Sequence, residues 1–213
     1  MALTLRIPKG SRLTKAEVDA NFLHCAPTVG TTQQNLVLVD PRGRHTIWVP
    51  AAAMVASTTN GAAAATTETA TNKIMLKSMD FADGASVLHA QFSVQMPKSW
   101  NDGVINAQFI WTANSVSTNA VVWGIKAVSI ADDAALDAAF GTGVTVTDAN
   151  KATAYDLNIS DESGDITVAG AGAQEWVVFD VYRDPTDAGD TLAATASLFG
   201  VSIFFDTDAA TDD

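Results

Sequence analysis

A single cysteine, Cys25, stands among 213 residues, so no disulfide can form within the chain. Histidine is almost as scarce. His24, His45 and His89 are scattered, and neither a His-Glu-x-x-His motif nor a cysteine pair occurs, so neighbouring residues cannot assemble a zinc site. Cations are few as well, 12 Lys and Arg against 24 Asp and Glu, for a formal net charge of −12. That balance repels phosphate backbones and anionic bilayers and argues against nucleic-acid or membrane partners. Long apolar runs are missing, and none approaches the roughly 18 residues of a membrane-spanning helix. The first apolar stretch is broken by Arg6, Pro8 and Lys9, unlike a secretory leader, so synthesis and assembly in a cytoplasm are expected. Catalytic signatures are lacking too. There is no Gly-x-Ser-x-Gly elbow, and Gly141-Thr142-Gly143 precedes a strand pattern and so reads as a turn, not a phosphate cradle. No cofactor and no enzymatic activity are expected.

What charge there is falls unevenly. Residues 1–45 hold Arg6, Lys9, Arg12, Lys15, Arg42 and Arg44 against Glu17, Asp19 and Asp40, a net of +3. The remaining 168 residues carry a net of −15. A basic arm on an acidic body suits docking of the arm on an acidic partner.

The arm contains one clear helix signal. Thr14 is an N-cap with Glu17 three residues on, a capping box, while Leu13 and Val18 occupy the positions of a hydrophobic staple. Phe22 continues the apolar edge one turn after Val18, and Pro27 ends the segment. A helix of about ten residues is marginal alone in water, so this edge needs a surface to pack on.

Residues 46–75 contain the Ala/Thr-rich stretch AAAMVASTTNGAAAATTETATN, which reads as a linker or an irregular wrap. From residue 76 onward the period is two. Phe92, Val94 and Met96 alternate with polar residues, as do Ile105, Ala107, Phe109 and Trp111; with Pro97 to Gly103 between them these runs predict a hairpin. Val121 to Ile130 is apolar on both faces and suits a central strand. Short strands are expected at Val144–Val146, Tyr155–Ile159 and Ile166–Val168, and longer ones at Trp176–Tyr182 and Leu198–Phe205. One short helix is expected at Asp132 to Phe140. The fold class is therefore all-β: an antiparallel β-sandwich or jelly-roll-like body at 76–213, behind a docking arm at 1–45.

Four of the five tryptophans (Trp48, Trp111, Trp123 and Trp176) sit within or beside apolar strand patterns and read as core; Trp100, in a turn, is the expected exposed contact. Carboxylates cluster at Asp132-Asp133, Asp161 to Asp165, and Asp184, Asp187 and Asp190. These read as solvated loops, since no EF-hand spacing supports calcium binding.

The segment Gly10-Ser11-Arg12-Leu13-Thr14-Lys15-Ala16-Glu17-Val18-Asp19-Ala20-Asn21-Phe22 resembles the Gly-Ser-x-Leu-Thr-x-x-Glu-x-Asp-x-Asn-Phe motif near the N-terminus of tailed-phage tail-fibre and other virion proteins. The likeness covers about the first 25 residues. Ile47-Trp48-Val49-Pro50-Ala51, Thr59-Asn60-Gly61, Pro97-Lys98-Ser99-Trp100-Asn101 and Asp190-Thr191-Leu192 resemble a family of small phage virion proteins. The resemblance implies a place in the virion and a docking role for Leu13, Thr14, Glu17, Val18, Asp19, Asn21 and Phe22. It further implies a homotrimeric β knob attached to capsid, portal, adaptor or tail proteins. The leading expectation is a short fibre or decoration knob. The alternative is an adhesin that binds a receptor or glycan on the host surface.

Overall fold

The computed structural model describes residues 43–172, 174–209 and 212. The expected docking residues, Leu13 to Phe22, lie outside them. Twelve strands follow in order: β1 (Arg44–Pro50), β2 (Val55–Ala56), β3 (Ala63–Glu68), β4 (Met75–Phe81), β5 (Leu88–Gln95), β6 (Trp100–Ala113), β7 (Ala120–Ile130), β8 (Val144–Ala149), β9 (Asn158–Ile159), β10 (Val168–Ala169), β11 (Trp176–Arg183) and β12 (Ala196–Thr207). They form two six-stranded sheets. The first has the order β3-β4-β12-β6-β9, with β1 also on β12; the second has β10-β7-β11-β5-β2, with β8 also on β7. Pairing is antiparallel except between β10 and β7. The body is an all-β sandwich of jelly-roll type, as the period-two patterning predicts.

Alternation explains the core. Val177, Phe179 and Val181 of β11 face inward with Phe92 of β5 and Trp123, Ile125 and Ala127 of β7; from the opposite sheet come Ile105, Ala107, Phe109 and Trp111 of β6 and Val201, Ile203 and Phe205 of β12. Trp123 is stacked on Phe109 and meets Phe81 and Trp111 edge-on. Val121–Ile130 is indeed central, flanked by β11 on one side and by β8 and β10 on the other.

Several expectations need correction. The runs Phe92–Met96 and Ile105–Trp111 are not a hairpin: β5 pairs with β11 and β2, whereas β6 pairs with β12 and β9, so Pro97–Ser99 carries the chain across from one sheet to the other. Alternation fixes which side chains face inward but not which sheet a strand joins. The helix expected at Asp132–Phe140 is absent. Asp133 has φ 64°, which ends any right-handed turn, Leu136 is exposed, and the segment returns so that Gly141 N–H donates to Ala127 O at 3.0 Å. Without a buried stripe a helix of that length has nothing to hold it. Residues 46–75, read as a linker or wrap, contribute β1, β2 and β3 to the two sheets.

The chain crosses one end of the sandwich several times. Thr207 N–H donates to Gly43 O at 2.9 Å, Asp208 N–H to Ser99 O at 2.9 Å, and Ser99 N–H to Asp212 Oδ1 at 3.0 Å. That bond to Ser99 holds the Asp212 carboxyl below the usual range. Trp100 starts β6 opposite Thr207, immediately after β5 ends at Gln95.

Candidate functional site

At this same end, on the outer face of the second sheet, lies a cleft of about 720 Å³. Three strands deliver residues to it in register: Trp176 opens β11 between Gln95, the last residue of β5, and Ile130, the last of β7. Val177 points into the core, so alternation turns Trp176 outward, where its side chain is 44% exposed. The opposite rim is the turn after β7, with Asp132, Asp133 and Leu136.

The lower rim is fixed by the turn that precedes β11. Gly170 and Gln174 have φ of 70° and 64°. Glu175 N–H donates to Gly172 O at 3.3 Å, and Met96 N–H donates to Glu175 O at 3.2 Å. The Glu175 carboxylate accepts from Ser129 Oγ at 2.5 Å and folds over Gly172, where a Cβ would stand 2.6 Å from it. A glycine at 172 therefore makes room for the carboxylate. Gln95 Nε2 donates to Gln174 O at 3.3 Å, which orients the amide and leaves Oε1 as an acceptor.

The cleft thus offers one indole wall with carboxylates, side-chain amides and an exposed leucine around it. Among the described residues no histidine, lysine or arginine lines it. This is a chemistry of stacking plus hydrogen-bond acceptance, suited to a neutral polyhydroxylated ligand: the aromatic face covers C–H bonds while carboxylate and amide oxygens take hydroxyl protons. Anionic ligands are disfavoured by Asp132, Asp133 and Glu175 together.

Trp100, the expected exposed contact, is a correction: it is 1% exposed and belongs to the core. Pro97 to Gly103 reads as one turn in the sequence, but β6 begins inside it. Between Trp100 and Ile105 there are extra residues relative to β12, with Asp102 at φ 57°, and this irregularity turns Trp100 inward out of phase with its neighbours. Trp48 and Trp176, both read as core, are the exposed pair, at 48% and 44%. The signal for Trp176 was present in phase: Val177, Phe179 and Val181 are the apolar set of β11, and Trp176 belongs to the other set with Asp180.

The Asp-rich loop after β11 is occupied by its own chain. Asp184 Oδ1 accepts from Thr186 N–H at 3.0 Å and Oγ at 2.6 Å, Asp187 Oδ1 accepts from Gly189 N–H at 2.7 Å, and Asp190 engages Arg183. Among the described residues no three His, Cys, Asp or Glu side chains converge to hold a metal ion.

No family model matches the chain, and no curated protein matches it. Among solved structures it is similar to the CBM36-1 domain of a multidomain xylanase from the hindgut metagenome of Trinervitermes trinervoides, with TM-score 0.40 and 9% identity over 75% of this chain and 96% of that one. It is similar to TmCBM61, solved in complex with beta-1,4-galactotriose, with TM-score 0.27 and 12% identity over 78% of this chain and 84% of that one. It is also similar to the structure of the infectious bursal disease virus Gx strain, with TM-score 0.29 and 12% identity over 80% of this chain and 37% of that one.

Proposed function

We propose that the chain is a non-catalytic module of a tailed-phage virion, a short fibre or decoration knob whose β-sandwich binds a neutral host-surface saccharide in the Trp176 cleft. The observation that carries the binding half is the exposed indole of Trp176 facing Asp132 and Asp133, with Gln95 and Glu175 beside it. A half-exposed tryptophan in a hydrogen-bonding cleft retains stacking area for a ligand that a core tryptophan does not. The virion half rests on the resemblance of Gly10 to Phe22 to fibre N-termini and on the apolar edge of Leu13, Val18 and Phe22. The same resemblance motivates a homotrimer, which light scattering on the purified protein tests directly.

The binding test is a glycan array probed with the intact protein and with Trp176→Ala. Retention of neutral glycans by the first and not the second supports the reading; equal retention removes the cleft from it. Release of sugar from host-envelope polysaccharide by the purified protein would instead make the cleft an active site. For docking, deletion of residues 1–30 and the double substitution Val18→Asp with Phe22→Asp should each leave a folded body that no longer joins particles, scored by immunogold labelling of virions. Normal copy number in either variant would place the anchor elsewhere.

A further inference from the structure

We infer that the sandwich carries a second saccharide platform, centred on Trp48, on the outer face of the other sheet. Trp48 lies mid-strand in β1 and is 48% exposed, while its neighbours Ile47 and Val49 pack on the core. Its indole lies against Gly200 of β12. A Cβ added at Gly200 would overlap Trp48 Cη2 and would stand 2.6 Å from its Cζ2. Glycine at 200 therefore makes room above β12 both for the ring and for the Val49 carbonyl, whose oxygen would stand 2.5 Å from that Cβ.

Across Gly200 the outer face is apolar, with Ile110 opposite it and the exposed Ile159 opposite Ile110, while the residues level with Trp48 are polar and regularly spaced. Ser202 is directly opposite Trp48, and Gln108 is directly opposite Ser202 on the far side. With strands about 4.8 Å apart, a hydroxyl stands one strand spacing from the tryptophan and an amide two. Gln108 Nε2 donates to Ser160 O at 2.8 Å, so the amide is held in place with Oε1 left to accept. Charge on this face is paired: the Arg44 guanidinium sits 4.6 Å from the Phe204 ring centroid and binds Glu162, both side chains remaining 41% exposed. A half-exposed ring flanked by fixed, uncharged hydrogen-bonding groups suits the C–H face and hydroxyl rim of a neutral pyranose.

The two platforms lie on opposite outer faces of the sandwich, so they engage different stretches of a polymer or different chains. The inference shares with the proposed function only the ligand class. Its test is gel retardation of the full chain in neutral host-envelope polysaccharide, using Trp48→Ala, Trp176→Ala and the double variant. On a retarding polymer each single substitution is expected to weaken apparent affinity by about ten- to a hundredfold, with retardation lost in the double variant, because two linked sites reinforce one another. If Trp48→Ala behaves as the unsubstituted protein and Trp176→Ala abolishes retardation, the second platform is overturned and the first stands. If Trp48→Ala alone abolishes retardation, the second platform stands and the Trp176 cleft falls. A change of oligomeric mass in Trp48→Ala would assign this face to a subunit contact, and no retardation by the host-envelope polysaccharide would overturn both platforms.

Discussion

Arg183 and Asp190 close the loop after β11 with a two-point grip: Arg183 Nε donates to Asp190 Oδ2 at 2.9 Å and Nη2 donates to Oδ1 at 2.8 Å. Both side chains are withdrawn from solvent. The remaining guanidinium N–H groups donate to the carbonyls of Phe81, Leu192 and Ala194, and Asp190 also accepts from Val122 N–H at 3.0 Å. One buried cation thus ties the loop to the end of β4 and to β7. Asp190→Ala leaves that cation with only the half-exposed Asp83, 3.8 Å away, as counter-charge, and a loss of about 3–5 kcal/mol in unfolding free energy is expected. Arg183→Met should cost a similar amount, and the double variant less than the sum of the two, since both act on one network. Urea midpoints of the three variants check this.

Tyr182 gives the molecule an alkaline limit. On the outer face of the second sheet its ring lies over Gly124, its register partner on β7, and its hydroxyl meets Gly143. Burial, reinforced by Asp184 and Asp180, raises the phenol above its ordinary value of about 10. The unfolded chain then gives up this proton first. The contribution is fully present below about pH 10 and is lost as pH rises through the raised value. Between about pH 9 and about pH 11 the intact protein should lose more stability than Tyr182→Phe, measured by denaturant midpoint at each pH. Equal slopes would mean that Tyr182 ionises no later in the folded state.

The packing at Gly124 makes a separate prediction. A methyl group there collides with the Tyr182 ring, and β7 is a central strand that cannot move away. Gly124→Ala should cost about 1–3 kcal/mol through overpacking. Combined with Tyr182→Ala the penalty for the added methyl should vanish, which a double-mutant cycle in urea reads directly.

The tryptophans should divide into two groups on substitution. Trp100→Ala and Trp123→Ala remove fully buried rings and should each cost about 3–5 kcal/mol. Trp48→Ala and Trp176→Ala remove half-exposed rings and should cost about 1 kcal/mol or less. Thermal unfolding of the four variants separates the groups.

That division also shows what was legible in the sequence. Strand positions such as Ile105–Trp111 and Leu198–Phe205 follow from period two because alternate burial is a local property of the backbone. The sheet each strand joins is not local, which is why the Phe92 and Ile105 runs read as a hairpin although they lie in different sheets. Trp100 turns inward because an irregularity in β6 shifts the phase, and short sequence windows carry no mark of it. Trp176 stands outside for a different reason: phase, not hydrophobicity, decides the side on which a large residue stands. The cleft itself is assembled from the ends of β5, β7 and β11, whose convergence depends on the pairing order and on nothing in any one segment.

The fastening of Thr207 to Gly43, and of Asp208 to Ser99, has a mechanical consequence. The end of the sandwich where β1 begins is also the end where Gln95 and Trp176 form the cleft. Tension applied between the backbone at Gly43 and a ligand held by Trp176 would travel a short route, through the Gly43–Thr207 and Asp208–Ser99 hydrogen bonds into the turn that joins the two sheets. The far end of the sandwich, with Tyr182, His89 and Gly124, would lie off that load path and carry none of the strain.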